Sequence, residues 1–275
     1  MISSPEVLLY LLLAAAAAVL GACIGSFCNN WAYRACRKQS VILGRSRCPA
    51  CKHDLAGRDL IPLVRYSLLK GRCRYCGKGI SIRYPLTEAA SAVFYLAAFV
   101  LFFPSNDLEL VRWTVLGGLT LTLALVDWES WELPNGLLLA GALWFFVLAP
   151  FSGLSSLWTG LAGSAVIAVP LLLLVLLMDK LLGKETMGGG DIKLVAMLGL
   201  HLGADRTLLT LIIACIIGIL MALLWKPIVS PVTGEDGASQ PRAGRIPFGP
   251  ALILAAWICA LWGKTLLSLY YSAFI

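Results

Sequence analysis

The heptapeptide Met187-Gly188-Gly189-Gly190-Asp191-Ile192-Lys193 lies between two strongly apolar runs, 157–178 and 192–203. Consecutive glycines break helices, because glycine loses the most backbone entropy when it is ordered. The stretch therefore predicts an unwound, accessible backbone followed by a helix that restarts near Asp191. Two interpretations of Asp191 are open: an N-cap of that helix, or a functional acid at a membrane surface.

The composition around this stretch indicates a membrane protein. The chain of 275 residues is 59% hydrophobic and 13% charged, which is far too apolar for a soluble globular domain. Its apolar runs approach or exceed the length that crosses a bilayer. They lie at 5–27, 86–103, 111–127, 136–152, 157–178, 192–203, 207–225 and 250–271.

These runs predict an all-α polytopic membrane protein with about eight transmembrane helices. The sixth run, 192–203, is short for a full crossing, and a partly re-entrant segment is the alternative. The first run, 5–27, has no lysine or arginine before it and is long for a signal sequence, so we interpret it as a retained helix.

The positive charge is concentrated in one segment. Residues 29–84 hold 13 of the 22 lysines and arginines but only two acidic residues, a net charge of +11. Because positive residues are retained on the cytoplasmic side, this segment is predicted to be a cytoplasmic loop. Alternation then places 128–135, 179–191 and 226–249 on the same side, with a polar loop at 230–249.

Four cysteines in the basic loop have the spacing of a metal site. They form C-x2-C…C-x2-C with 21 residues between the pairs, which predicts a structural zinc ribbon. The ligands are Cys48, Cys51, Cys73 and Cys76. An iron–sulfur centre or unbound thiols are the alternatives. No motif of interleaved aromatic and basic residues supports nucleic-acid binding, and the tethering of the loop between two spans argues against it, so we expect no nucleic-acid partner.

The remaining cysteines and the two histidines receive simpler interpretations. His53 is interpreted as solvated, and His201 is a weak candidate for a ligand or proton relay. The other five cysteines are expected to pack as small apolar side chains. They are Cys23, Cys28, Cys36, Cys215 and Cys259.

Asp127 is the second candidate for chemistry. It ends the third apolar run, and the predicted topology places it at the cytoplasmic side, like Asp191. Two carboxylates held close can share a proton, so that one activates water as a base while the other protonates the leaving amine. This is the chemistry of aspartyl proteases. The alternative is an interfacial aspartate between the belt residues Trp128 and Trp131.

Two functions of other classes remain open. A proton-coupled transporter also combines a broken helix with paired membrane acids, although its acids are expected near the midplane. A non-catalytic assembly scaffold organised by the zinc loop is the other alternative. Proton uptake would identify the transporter, and function without either aspartate would identify the scaffold.

Several motifs together resemble the type IV prepilin peptidases, which are membrane aspartyl proteases with a GxGD signature. The resemblance extends over nearly the whole chain. It is carried by Gly188-Gly189-Gly190-Asp191-Ile192-Lys193, Asp127 with Leu133-Pro134, Gly25-Ser26-Phe27-Cys28-Asn29, Tyr33-Arg34, Ser46-Arg47-Cys48-Pro49-Ala50-Cys51, Ile61-Pro62, Gly71-Arg72-Cys73-Arg74-Tyr75-Cys76-Gly77, Ile80-Ser81-Ile82-Arg83-Tyr84-Pro85-Leu86-Thr87-Glu88 and Ile246-Pro247-Phe248-Gly249-Pro250.

The resemblance implies an enzyme of the bacterial inner membrane that cuts the basic leader from type IV prepilins or type II secretion pseudopilins. Cleavage is expected at the cytoplasmic face, with Asp127 and Asp191 as the catalytic pair. The expected active-site loop comprises Gly188, Gly189, Gly190 and Lys193. The resemblance further implies N-methylation of the new N-terminus by S-adenosylmethionine, associated with residues 1–85, whereas 86–275 form the peptidase core. We also hypothesise that three acids attract the basic leader: Glu129, Glu132 and Glu185.

Overall fold

Helices dominate the structure, a computed structural model that describes residues 4–41, 45–224 and 247–274. The predicted polar loop at 230–249 lies outside the described residues up to residue 246. Apart from turns, the described residues add only a 3-10 turn and two isolated β-bridges, which confirms the all-α prediction. The α-helices are α1 (Ser4–Ala35), α2 (Val64–Leu68), α3 (Arg83–Phe102), α4 (Asp107–Ser130), α5 (Asn135–Ser152), α6 (Leu154–Leu182), α7 (Gly189–Leu224) and α8 (Gly249–Phe274).

Seven of these helices are long and apolar enough to cross a membrane, and α2 is not. The predicted sixth and seventh runs both lie on α7, where the backbone leaves the helical conformation at Gly203 (φ 76°, ψ 174°). Glycine is nearly the only residue that adopts this conformation. The part of α7 before Gly203 is only ~21 Å long, against ~30 Å of bilayer core, whereas the part after it reaches ~31 Å.

The chain forms two compact units, Met1–Leu161 and Ala162–Ile275. In the first unit, α4 is the central helix. Within an apolar segment of 18 residues, 61% of the residues of α4 are buried, compared with 11% for α1. Trp113, Leu116 and Leu123 of α4 are almost inaccessible. The predicted functional division at residue 85 is a different boundary and stays a prediction.

Two glycines of α1 allow α1 and α3 to cross in backbone contact. A Cβ atom added at Gly21 would lie 2.7 Å from the carbonyl oxygen of Ser91 and 2.9 Å from the Cα of Ala92. A Cβ at Gly25 would lie 2.9 Å from the Cα of Glu88. Small residues at such crossings are a common basis of helix association in membranes, and here they place Glu88 directly against α1.

The second unit contains the equivalent contact between α6 and α7. A Cβ at Gly199 would lie 2.7 Å from the Cα of Ser164, and one at Gly163 would lie 2.6 Å from the Cα of Gly203. The hydroxyl of Ser164 donates to the carbonyl oxygen of Ala196 at 2.8 Å. These contacts fix the position of the break in α7.

Replacing Gly21 by alanine is expected to force α1 and α3 apart, because backbone atoms cannot yield as a flexible side chain can. We expect a loss of stability of about 1–3 kcal/mol, the range for overpacking, measured as a lower Tm in detergent. Gly136→Ala is the matched control, since a Cβ at Gly136 meets no atom within 4 Å. Equal Tm values for the two variants would contradict the close crossing.

Candidate active site and metal centre

Asp127 lies in the last turn of α4 and is only 6% exposed. The helix ends at Trp131, which adopts the left-handed conformation (φ 62°, ψ 22°) and donates its N–H to the carbonyl oxygen of Asp127 at 2.9 Å. An apolar cavity of about 390 Å³ lies beside the preceding residue, Val126, and is also lined by Trp31 and Leu137. Asp127 is thus a buried acid at a helix end, and the residue before it lines an apolar cavity.

Glu129, two residues beyond Asp127, binds two arginines. Its carboxylate lies 2.7 Å from Arg83, at the start of α3, and 3.3 Å from Arg37, just beyond α1. These ion pairs bring the cysteine-bearing loop and the 131–134 turn to the same end of the first unit, as the predicted alternation requires. The attraction of Glu129 for a basic leader stays a prediction, and a leader cation would compete with both arginines.

The connection from α6 to α7 is braced before the glycines. Gly183 (φ 64°) closes α6 by donating to the carbonyl oxygen of Asp179 at 2.9 Å. The carboxylate of Asp179 accepts bonds from the N–H and the hydroxyl of Thr186, at 2.7 and 2.6 Å. This bracing orders the segment that carries the exposed Glu185.

Asp191 lies in the first turn of α7 and is half-buried. The predicted unwinding is found at 183–188, whereas Gly189 and Gly190 already belong to the helix. The reason is the bond from the N–H of Asp191 to the carbonyl oxygen of Gly188 at 3.0 Å, which closes the first turn. A Cβ at Gly189 would meet no atom within 4 Å, so the backbone is accessible as predicted.

Asp127 belongs to the first compact unit, and Asp191 belongs to the second with the exposed Lys193. The pairing of the two aspartates therefore stays a prediction. So do the active-site role of the glycine turn and Lys193, and the leader-binding role of the exposed Glu132.

The four predicted metal ligands come together. The sulfur atoms of Cys48, Cys51, Cys73 and Cys76 all lie within 4.8 Å of one another, and the Cys48 and Cys76 sulfurs are 3.9 Å apart. A tetrahedral ion with bonds of about 2.3 Å to sulfur requires sulfur–sulfur distances of about 3.8 Å. The cluster therefore fits a single ion with four thiolate ligands, and His53 is not part of it.

The first cysteine pair is held by a tight hairpin. The N–H of Cys48 donates to the carbonyl oxygen of His53 at 3.0 Å, and the N–H of Lys52 donates to that of Cys48 at 2.9 Å. Lys52 has a positive φ of 59°, and Arg47 and Asp54 form a β-bridge.

The second pair repeats this hairpin 25 positions later in the sequence. The N–H of Cys73 donates to the carbonyl oxygen of Lys78 at 2.8 Å, and the N–H of Gly77 donates to that of Cys73 at 2.9 Å. Gly77 has a positive φ of 71°, and Arg72 and Gly79 form the β-bridge. We call these two hairpins, 47–54 and 72–79, the knuckles.

The knuckles set the acidity of the thiols in opposite directions. Burial disfavours the thiolate of Cys48, but backbone N–H groups of Cys51 and Ala50 outweigh burial and lower its pKa to about 7. A hydrogen bond from the backbone of Lys78 favours the thiolate of Cys76, yet burial and the neighbouring sulfurs raise its pKa to about 11. A dication held by these four cysteines would supply the charge that keeps all four sulfurs ionised.

Asp59 connects the knuckles to the rest of the loop. Its carboxylate is 4% exposed and lies 2.8 Å from Arg65 of α2 and 3.2 Å from Arg74. It also accepts the hydroxyl of Tyr75 at 2.9 Å, and the Tyr75 ring packs against the His53 ring with 3.8 Å between centroids and an interplanar angle of 34°. Burial works against ionisation, but Tyr75 and the two guanidinium groups hold the pKa of Asp59 below its usual range.

Sequence reasoning missed three features of this site: the Glu129 ion pairs, the Asp59 cluster and the contact between the rings of His53 and Tyr75. The knuckle repeat was also missed, although it carried a signal. The dipeptide Arg-Cys opens both hairpins, at 47–48 and 72–73.

Comparisons with known proteins find two family segments that follow one another along the chain. Residues 19–102 match the family described as the bacterial peptidase A24 N-terminal domain, and residues 114–223 match the type IV leader peptidase family. The chain is 38% identical to the prepilin leader peptidase/N-methyltransferase of Myxococcus xanthus, covering 85% of this chain and 68% of that protein. It is 31% identical to the enzyme of the same name from Bacillus subtilis, covering 92% and 95%. No solved structure matches.

Asp59→Asn is expected to loosen the loop, because two guanidinium groups lose their shared counterion. We expect amide hydrogen exchange in residues 57–76 to accelerate by about tenfold or more at pH 7. Asp54→Asn is the matched control, since the Asp54–Arg47 pair has side chains 41% and 64% exposed and is screened by solvent. Because the pKa of Asp59 is depressed, its contribution is present above about pH 4 and is lost as the pH falls further.

Exchange rates that match between the two variants would show that Asp59 does not hold the loop.

Proposed function

This chain belongs to the type IV leader peptidase family, and on that premise we propose that it removes the basic leader from type IV prepilins or type II secretion pseudopilins and then methylates the new N-terminus. The observation that carries the proposal is the match of two consecutive family segments, 19–102 and 114–223. Similarity to prepilin leader peptidase/N-methyltransferases over most of the chain supports both activities.

Asp127 and Asp191 carry the cleavage in this proposal. One carboxylate takes a proton from water, the resulting hydroxide attacks the scissile carbonyl carbon, and the other carboxyl group protonates the departing amine. Three features support the assignment: the burial of Asp127 at a helix end, the place of Asp191 in the first turn of α7, and the open backbone at Gly189. An extended substrate can approach such a turn closely.

The charges of both units suit the proposed substrate. A leader rich in lysine and arginine is attracted by the exposed Glu132 of the first unit and by the exposed Glu185 of the second. The apolar cavity of about 390 Å³ that is lined by Val126, the residue before Asp127, accepts a hydrophobic residue of the substrate. Cleavage in this proposal occurs at the cytoplasmic face of the bacterial inner membrane. The reason is that the basic loop, which lies at the same end of the first unit as Asp127, is retained inside.

Zinc is the ion proposed for the four-cysteine cluster, and its role is structural. Four thiolates leave no open coordination position for a substrate or water. The ion joins the two knuckles and so stabilises the loop between α1 and α3. S-adenosylmethionine is the proposed methyl donor, and it supplies an electrophilic methyl group on a sulfonium.

Alanine at Asp127 or at Asp191 is expected to lower the rate of prepilin cleavage by about 10²–10⁴-fold, the typical contribution of general acid–base catalysis. The measurement is cleavage of a basic-leader prepilin by detergent-purified protein, with folding and metal content checked for each variant. Asp205→Ala, at an exposed aspartate of α7, is the matched control and keeps the wild-type rate.

Survival of cleavage in either variant would show that the catalytic pair is misassigned. Proton uptake that depends on either aspartate, without cleavage by the wild type, would favour the transporter.

Cys51→Ser is expected to reduce bound zinc from about one ion per chain to a small fraction, because one of four ligands is lost. The metal content is measured by elemental analysis of the purified chain. Cys215→Ser, at an exposed cysteine of α7, keeps the full metal content. A wild-type chain that carries no zinc, or carries iron, would overturn the assignment of the ion.

A further inference from the structure

The first unit contains a second, larger cavity that the cleavage chemistry does not use. Its volume is about 940 Å³, and it lies between the C-terminal end of α1, the cysteine-bearing loop and the start of α3. This size is within the range of pockets that enclose a small-molecule ligand, about 300–1,000 Å³. The lining carries nine lysine or arginine side chains but only three carboxylates.

The three carboxylates have different surroundings. Glu129 pairs with Arg37 and Arg83, and Asp59 pairs with two further arginines. Glu88 has no ion pair with any cation among the residues that the structure describes. It lines a cavity rich in arginine, but none of these cations forms a direct contact of 4 Å or less with its carboxylate in the described part of the chain.

Glu88 is also one of the most enclosed acids of the chain, with only 7% of its surface exposed. It lies in the second turn of α3, where Gly25 of α1 presses against its backbone. A buried carboxylate without a counterion is costly. Such groups are candidates for binding or catalysis because a cationic ligand can supply the missing charge.

The contact that Glu88 does make is unusual. One carboxylate oxygen accepts the backbone N–H of Leu63 at 2.8 Å. Leu63 adopts φ 59° and ψ −54°, and the N–H of Val64 donates to the carbonyl oxygen of Pro62 at 2.6 Å, which forms a γ-turn. A bulky residue in this conformation is strained. Such strain is concentrated at functional sites, and here it orients the carboxylate that faces the cavity.

We propose that Glu88 binds the α-amino group of the processed pilin in this cavity and accepts its proton during N-methylation. This inference rests on the proposed function, since it names the methyl-acceptor site of the same enzyme. The acceptor is the N-terminus of an apolar helix that lies in the membrane, so its amino group lies at the membrane surface. Glu88 lies near the start of α3, a helix long and apolar enough to cross a membrane, at the end that follows the cysteine-bearing loop.

The proton and electron balance of the step is simple. The α-amino group, with a pKa of about 8, is largely an ammonium ion at neutral pH and has no free electron pair. Transfer of one proton to the carboxylate of Glu88 leaves a neutral amine. Its electron pair forms the N–C bond to the methyl group while the S–C bond of the sulfonium donor breaks, leaving a neutral thioether and a methylated ammonium ion.

The first test measures binding without the methyl donor. The ligands are a prepilin from which the leader has been removed and the same chain with an acetylated N-terminus, which has no charge. We expect the full-length wild type in detergent to prefer the free amine by about tenfold in Kd, as for a charged hydrogen bond. Glu88→Gln abolishes this preference, whereas Asp54→Asn, outside the cavity lining, retains it.

The second test measures cleavage and methylation in parallel with the same variants. Glu88→Gln is expected to cleave prepilin at the wild-type rate but to methylate the product at least about 10²-fold more slowly, as for loss of a general base. The glutamine keeps an oxygen that can accept the N–H of Leu63. Wild-type methylation and amine preference in Glu88→Gln would therefore show that Glu88 only supports the γ-turn, and would overturn the inference.

Loss of cleavage together with methylation in Glu88→Gln would also overturn it. If Glu88→Gln does not fold, Glu88→Asp is measured instead: retained amine preference supports the inference, and its absence overturns it. A wild type that does not cleave prepilin at all would instead refute the proposed function.

Discussion

One carboxylate, that of Glu129, holds three helix ends of the first unit together. Its two arginines come from the segment after α1 and from the first turn of α3, while Glu129 itself ends α4. With a side chain only 17% exposed, it is an ion-paired group whose removal would leave two guanidinium groups without their partner. Asp127 precedes it by half a turn of the same helix, so the candidate catalytic acid is positioned by the same ion pairs.

The region on the loop side of these ion pairs is organised by a small number of charges. Asp59 compensates Arg65 and Arg74, Glu129 compensates two further arginines, and the four sulfurs are suited to a dication. Glu88 is the carboxylate of the large cavity that this arrangement leaves without a cation among the described residues. The two activities proposed for the chain thus use different acids in different environments: Asp127 and Asp191 act on the peptide bond, and Glu88 acts on the new N-terminus.

The sequence predicted the features that depend on local pattern. Hydropathy located the membrane helices, and cysteine spacing located the metal ligands, since both are set by residues close in the chain. The sixth and seventh predicted runs form one helix, α7, because helical hydrogen bonding continues on both sides of Gly203.

The ion pairs of Glu129 could not be predicted from the sequence. Arg37 and Arg83 lie far from Glu129 in the sequence, and many other arginines were available as partners. That Glu88 forms no ion pair among the described residues was likewise not predictable from the sequence, since it depends on where every other charged side chain lies. The pairing of Asp127 with Asp191 stays a prediction, and it rests on the predicted topology and the family resemblance and not on local pattern.

The close crossing of α1 and α3 also has a thermodynamic consequence for the metal. The cysteine-bearing loop begins where α1 ends and finishes where α3 begins, so a crossing in backbone contact already brings its two ends together. Without this crossing, the binding free energy of an ion that cross-links two hairpins 25 positions apart would be reduced by the entropic cost of closing that chain segment. Here the crossing of the membrane helices meets part of that cost in advance. The coupling is reciprocal: an ion bound to the four cysteines would stabilise the helix crossing by the same free energy by which the crossing favours binding of the ion.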